Sequence, residues 1–267
     1  SDDSQTVIVA DMQTVKLFDL ATGKVLQSHT PFVVERLAMS QNGKWMAASG
    51  QHLKNNSSQR TLEIWNLADK KPLPPLPQAK DHSVVALSHD GHLLVTRREE
   101  TDGELVLWDL QSFKSIRELG ETPDLWLAAL SPDSTLLATQ ELENGTLTVR
   151  DTSDGNILFS SETPDQENPN GSSLAFSPDN TSLAISYLSH PGKSFSYPAK
   201  ILDARTGTVQ LELRSSAIGF SPDNRHLIVA RPSQGAPALI ERATGKETPI
   251  SRGASGVMDL ALTKDGK

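Results

Sequence analysis

The sequence predicts an all-β chain of repeated four-stranded antiparallel sheets, and three observations predict it. A turn signal recurs at near-constant spacing. A second, β-rich signal recurs between its copies. The segments beside the turns are near-continuous apolar runs too short for helices.

The turn signal reads Ser40-Gln41-Asn42-Gly43, Ser88-His89-Asp90-Gly91, Ser131-Pro132-Asp133-Ser134, Ser177-Pro178-Asp179-Asn180, Ser221-Pro222-Asp223-Asn224 and Thr263-Lys264-Asp265-Gly266, and Ser1-Asp2-Asp3-Ser4 opens in the same register. Successive copies stand 39, 48, 43, 46, 44 and 42 residues apart. A period of about 40–45 residues is that of one four-stranded propeller blade. Pro presets the second turn position, and Ser and Asp bond back to nearby backbone groups. The second signal ends in Phe18-Asp19, Trp65-Asn66, Trp108-Asp109, Arg150-Asp151, Leu202-Asp203 and Ile240-Glu241. A Gly-containing turn follows it at Gly23, Gly155, Gly207 and Gly245, where Gly supplies positive φ.

The two signals in phase resemble the WD40 repeat over essentially the whole chain, in the style of bacterial WD40-like propellers. Trp65-Asn66 and Trp108-Asp109 stand at the dipeptide that names that family, and Phe18-Asp19 is a near match. The Gly-His pair usual before the first strand is missing, and only Asp81-His82 comes near it. The His–Asp–Ser/Thr–Trp hydrogen-bond network of many eukaryotic members is therefore expected to be absent. The resemblance implies a β-propeller. Six blades are expected, with seven, the family's usual number, as the alternative.

With strands labelled A to D from the inside outward, the anchor turn joins A to B. Residues 5–30 supply B, C and D of a first blade with no A strand before them, and 256–263 supply an A strand with nothing after it. They are expected to share one blade and close the ring, which would leave only short, protected edges. Blade two spans 33–77, and its 51–60 stretch reads as a polar excursion between B and C. Pro72, Pro74, Pro75 and Pro77 suit its outermost edge, where no ladder partner is needed. Blade three spans 83–119, blade four 124–162, blade five 171–214 and blade six 215–251. Alanines crowd strands A and B, at 47, 48, 128, 129, 138, 175 and 184, and predict burial on both faces.

Composition narrows the function. A net charge of −8 argues against broad nucleic-acid or acidic-membrane binding. No apolar run approaches the roughly 18 residues a membrane helix needs. With no Cys there are no disulfides or thiolate metal sites, and the compartment stays open. No phosphate loop or nucleophile-elbow motif occurs. His89 and His92 straddle one turn without a third ligand in sight, so turn polarity explains them better than a metal. No catalytic residue, metal or cofactor is assigned.

The resemblance places the D–A and B–C loops on one face, the top. The long excursions 51–60, 77–82, 163–170 and 188–198 fall there, which is how rigid scaffolds carry binding sites. Trp126 lies five residues before its anchor, where the other repeats put Glu35, Ser83, Ser172, Ser216 and Met258. It reads as either a channel plug or a binding anchor. Trp65 and Trp108 read as core, and Trp45 as partly exposed packing. The candidate binding residues are Trp126, Arg97, Arg98, His82 and Glu35, for a protein or peptide partner. The expected role is a non-catalytic interaction, scaffold or sensing module, within a larger signalling or effector protein. The alternatives are an enzyme-associated propeller, gating a peptidase or forming a lactonase, and a ligand-binding propeller of the cell envelope.

Overall fold

The computed structural model describes residues 6–10, 14–29, 32–54, 57–69, 71–162, 171–187, 198–215, 217–230 and 237–250. Among them are six antiparallel sheets, in each of which every strand pairs with its neighbour in sequence. The chain divides into two compact units, Ser1–Pro123 and Asp124–Lys267.

In the first unit, sheet one is β1 (Thr6–Ala10), β2 (Val15–Asp19) and β3 (Val25–His29). Sheet two is β4 (Val33–Met39), β5 (Trp45–Lys54), β6 (Ser57–Asn66) and β7 (Lys71–Pro72). Sheet three is β8 (His82–Leu87), β9 (Leu93–Arg98), β10 (Glu104–Asp109) and β11 (Lys114–Glu121). In the second unit, sheet four is β12 (Leu125–Leu130), β13 (Leu136–Glu141), β14 (Leu147–Asp151) and β15 (Ile157–Ser161). Sheet five is β16 (Gly171–Phe176), β17 (Ser182–Tyr187), β18 (Pro198–Asp203) and β19 (Val209–Arg214), and sheet six is β20 (Ala217–Phe220), β21 (His226–Ala230), β22 (Ala238–Glu241) and β23 (Glu247–Pro249). The strand expected at 256–262 and the anchors at 1–4 and 263–266 lie outside the described residues.

Each anchor turn is built alike. At the Ser131 turn the hydroxyl donates to Asp133 Oδ1 at 2.6 Å and accepts from Leu136 N–H at 3.0 Å, while Asp133 Oδ1 also accepts from Thr135 N–H at 3.0 Å. The Ser40, Ser88, Ser177 and Ser221 turns repeat this pattern. The fourth turn residue takes positive φ every time, at Gly43, Gly91, Ser134, Asn180 and Asn224. Burial alone would raise the Asp133 carboxyl, but the hydroxyl of Ser131 and the N–H and hydroxyl of Thr135 outweigh it and hold the group below its ordinary value. Gly91 has a second constraint. A Cβ there would fall 2.0 Å from Trp45 Cδ1, because the Trp45 ring of sheet two lies on the turn of sheet three.

Consecutive sheets stack face to face within each unit. Trp65 packs with Val15, Leu17 and Met46 between sheets one and two, and Trp108 packs with Ala47, Ile64 and Leu94 between sheets two and three. Both rings are core, as their place in the repeat predicts. In the second unit, Leu136, Ala138, Val149 and Ile185 join sheets four and five, and Ile201, Ile218, Leu227 and Val229 join five and six. Turns add polar stitches. Asn42 Nδ2 donates to the Asp90 carbonyl at 2.8 Å, and Asp133 N–H donates to Asn180 Oδ1 at 3.0 Å.

Two expectations change. Burial on both faces belongs to the second strand of each sheet rather than equally to the first: Ala47, Ala48, Ala138 and Ala184 are fully buried, whereas Ala128, Ala129 and Ala175 are half-buried. Within its sheet a second strand has neighbours on both edges, and a first strand on only one. Residues 51–54 and 57–60, expected as part of a polar excursion, are strand as well. β5 and β6 pair over ten consecutive residues, from Trp45 opposite Asn66 to Lys54 opposite Ser57. Polar side chains do not stop a ladder that the two strands' backbones hold between them. We expect Ala138→Leu to destabilise the protein by about 1–3 kcal/mol through overpacking, with a smaller loss for half-buried Ala129→Leu. Denaturant melts of the two variants check the order.

Candidate functional site

The first strands carry a local irregularity that matters for display. β4 slips register between Val34 and Arg36, β12 between Leu125 and Leu127, and β16 between Gly171 and Ser173. The extra residues are Glu35, Trp126 and Ser172, each five before its anchor. A bulge leaves one residue out of the ladder and re-aims its side chain. This is the physical content of the offset that singled out Glu35 and Trp126. In β8 the slip moves to Val85, so Ser83 stays in the ladder and is buried.

Glu35 accepts from Gln51 Nε2 at 2.6 Å and pairs with Arg60 Nη1 at 3.1 Å. Arg60 stands on β6 beside a cleft of about 420 Å3. Gln51, Gln59 and Arg60 of the β5–β6 hairpin line it, with Lys80 and Asp81 from the segment before β8 and Glu99 and Glu100 from the turn after β9. All belong to the first unit. Ser83 Oγ donates to Glu99 Oε1 at 2.5 Å, and Arg97 pairs with the other oxygen. Burial would raise the Glu99 carboxyl, but these hydrogen bonds and the Arg97 charge outweigh it and lower it. Glu99 is therefore ionised and fixed in the cleft wall. Arg97 also donates from Nε to the Thr122 carbonyl at 3.0 Å and from Nη2 to the Pro123 carbonyl. Its guanidinium clamps chain and is no open contact.

His82 takes another part. It is 2% exposed, so its ring lies below the surface as a support. Nδ1 meets Thr96 Oγ1 at 2.7 Å, and Trp108 Nε1–H donates to the same oxygen at 2.8 Å. The His82 and Trp108 rings meet edge-on at 5.7 Å. Arg98 donates from Nε to His82 Nε2 at 3.4 Å and pairs with Glu104 through Nη1. With His82 neutral and its proton on Nδ1, the His82 Nδ1–H, Trp108 Nε1–H and Arg98 Nε–H groups each have an acceptor. Sheet three thus holds a His–Thr–Trp chain with Arg98 on the outer nitrogen, and no Asp among the described hydrogen bonds completes the His–Asp–Ser/Thr–Trp network expected to be absent. Sheet four fills the same slot differently, with Arg150 Nη1 donating to Thr139 Oγ1 at 3.1 Å.

Four of the five candidate residues, Glu35, His82, Arg97 and Arg98, thus fall in or under the charged surface of the first unit. Trp126 lies in the second unit, on the β12 bulge, 40% exposed. His89 and His92 turn to separate partners, Gln41 Oε1 at 2.7 Å and Gln111 Nε2 at 3.0 Å. Sequence reasoning did not select Arg60, Lys80, Asp81 or Glu99, although its excursions at 51–60 and 77–82 contain the first three and Glu99 follows the candidates Arg97 and Arg98. Only the fold brings two excursions and the turn after β9 to one cleft.

No family model matches the chain, and no curated protein does. Solved structures do match: hydrazine synthase of Kuenenia stuttgartiensis aligns over 90% of this chain and 74% of its own with a TM-score of 0.66 at 15% identity. At that identity the likeness speaks for fold alone. The class that sheets and likeness define together is a β-propeller-like all-β protein.

Burial first, and then the Arg98 charge, hold the His82 imidazole below its ordinary value of 6.5. Below about pH 6.5 the unfolded chain binds a proton that the folded chain resists, so this contribution to stability is present above that pH and is lost as pH falls toward the folded value. We expect the denaturation midpoint to fall between about pH 7.5 and about pH 5.5, before most carboxylates titrate. The fall should be smaller in His82→Gln, as pH-resolved denaturant melts will read.

Proposed function

We propose that this chain is a non-catalytic, WD40-like six-bladed propeller that binds a protein or peptide on its loop-rich top face. The observation that carries the reading is the cleft beside Arg60: three separate segments bring charged side chains of both signs to one concave surface, and the Glu99–Arg97–Ser83 bonds hold its wall rigid. Pre-set polar groups around a concavity suit recognition, since little ordering remains to be done on binding. The His82–Thr96–Trp108 chain supports the WD40-like assignment.

In this reading residues 256–262 pair with β1 and close the ring. β1 has a strand neighbour on one edge only, that of β2, among the described residues. The absence of native Cys allows a clean test. In every described sheet that carries the anchor, the residue two before it pairs with the residue seven after it, as Ala129 does with Ala138. Ile8→Cys combined in turn with Leu260→Cys, Ala261→Cys and Leu262→Cys is therefore expected to give one pair that oxidises to an intramolecular disulfide, since bridged Cα atoms must lie within about 7 Å. If no pair crosslinks, closure at this blade is wrong.

The binding role is tested by selecting peptides from a random display library on the purified chain. Selected peptides should lose about tenfold in affinity, about 1.4 kcal/mol, against the combined Arg60→Ala, Lys80→Ala and Glu100→Ala variant. Failure to select any peptide, or ligands indifferent to these changes, would overturn the proposal.

A further inference from the structure

Sheet two is missing most of its outer strand. β10, β14 and β18 are paired along most of their length by β11, β15 and β19. β7, by contrast, is two residues long and pairs only Trp65 and Asn66 of the ten-residue β6. One further bond follows, from Leu73 N–H to the Ile64 carbonyl at 2.7 Å. The chain then runs through Pro74, Pro75 and Pro77, which have no N–H to offer. The Ile64 carbonyl points away from β5, and the β5–β6 register is unbroken. Alternate residues of a strand turn their backbone groups to the same edge, so Leu62 and Arg60 also point theirs outward. Neither backbone has a hydrogen-bond partner on that edge among the described residues.

A groove of about 270 Å3 runs along this edge. Arg60, Leu62, Pro75, Leu76, Ala79 and Lys80 are among the residues that line it. Its two ionisable lining residues are both cations, and no carboxylate lines it. Lys80 is exposed and has no ion-pair partner among the described residues. The unpaired edge calls for an extended backbone, Leu62, Leu76 and Ala79 for alternate apolar side chains, and Lys80 for a carboxylate, Arg60 being already paired with Glu35.

We infer that the outer edge of β6 accepts an extended acidic peptide segment as an added strand, its backbone bonded to the Arg60 and Leu62 backbones and a carboxylate set against Lys80. Strand addition of this kind takes affinity from main-chain bonds and specificity from pockets for alternate side chains. The inference rests on the peptide-binding reading above and supplies its mode.

The test uses three capped synthetic peptides with the whole chain: alternating Val-Glu, the same sequence N-methylated at alternate residues, and alternating Val-Lys. Amide hydrogen exchange and titration calorimetry are the readouts. The Val-Glu peptide is expected to bind and to slow exchange at Arg60 and Leu62 N–H about tenfold or more. The N-methylated peptide should bind about tenfold more weakly, the scale of one or two backbone hydrogen bonds. Lys80→Glu should shift preference toward Val-Lys. Binding without protection at Arg60 and Leu62 would overturn strand addition while leaving the cleft reading in place. Protection that grows with protein concentration in the absence of peptide would assign the edge to a second copy and overturn it too. Binding by none of the peptides would overturn the acidic-strand proposal, whereas the library selection judges the cleft by itself.

Discussion

The hydroxyl of the anchor serine is the group on which the sheets depend. It donates to the carboxylate or amide two residues on and accepts the amide five residues on, so a single oxygen closes the hairpin between the first two strands of a sheet. The turn needs positive φ at its fourth residue, which Gly, Asn and Ser provide at some cost to the last two. Once that turn is set, the register of the first two strands follows, and with it which face each side chain takes. The turns then reach across, as Asn42 does to Asp90 and Asp133 to Asn180. A local device thereby fixes both the hairpin and its spacing from the next sheet.

The bulges act against this regularity. An uninterrupted ladder from the anchor would keep the residue five positions before it in the pleat. Slipping the register there frees Glu35 and Trp126 for display while the rest of each strand keeps its pairing. Around Glu35 the consequence is a charged surface whose members hold one another: Glu35 holds Gln51 and Arg60, and Glu99 holds Ser83 and Arg97. Such mutual pairing leaves little net attraction at the surface but fixes the geometry, which favours selectivity over bulk affinity.

Sheet three and sheet four show why fold outlasts sequence in this chain. Trp108 and Arg150 share one slot of the repeat, and each donates to a buried threonine hydroxyl on the neighbouring strand. The geometry needs a donor of suitable reach, and an indole or a guanidinium meets it. Substitutions of this kind leave the backbone alone while erasing the letters a family pattern is written in. That accords with a chain that aligns with a solved structure over 90% of its length at 15% identity and matches no family model.

Sheet positions, the anchor turns, and the burial of Trp65 and Trp108 were all legible in the residues, because each depends on bonds or alternation within about ten residues of chain. The display position of Glu35 and Trp126 was legible only as an offset, since nothing in the letters announces a bulge. The excursion at 51–60 was legible as polar but not as paired strand, because backbone bonding is indifferent to polar side chains on a solvated ladder. The amino-acid sequence by itself determined the repeat, its turns and its core aromatic positions. The tertiary structure alone decided that His82 reaches Thr96, that Arg97 is spent on the Thr122 and Pro123 carbonyls, and that Arg60 and Lys80 share a groove. Those outcomes depend on how separate strands and loops come to face one another, a relation set by packing and carried by no single stretch of chain.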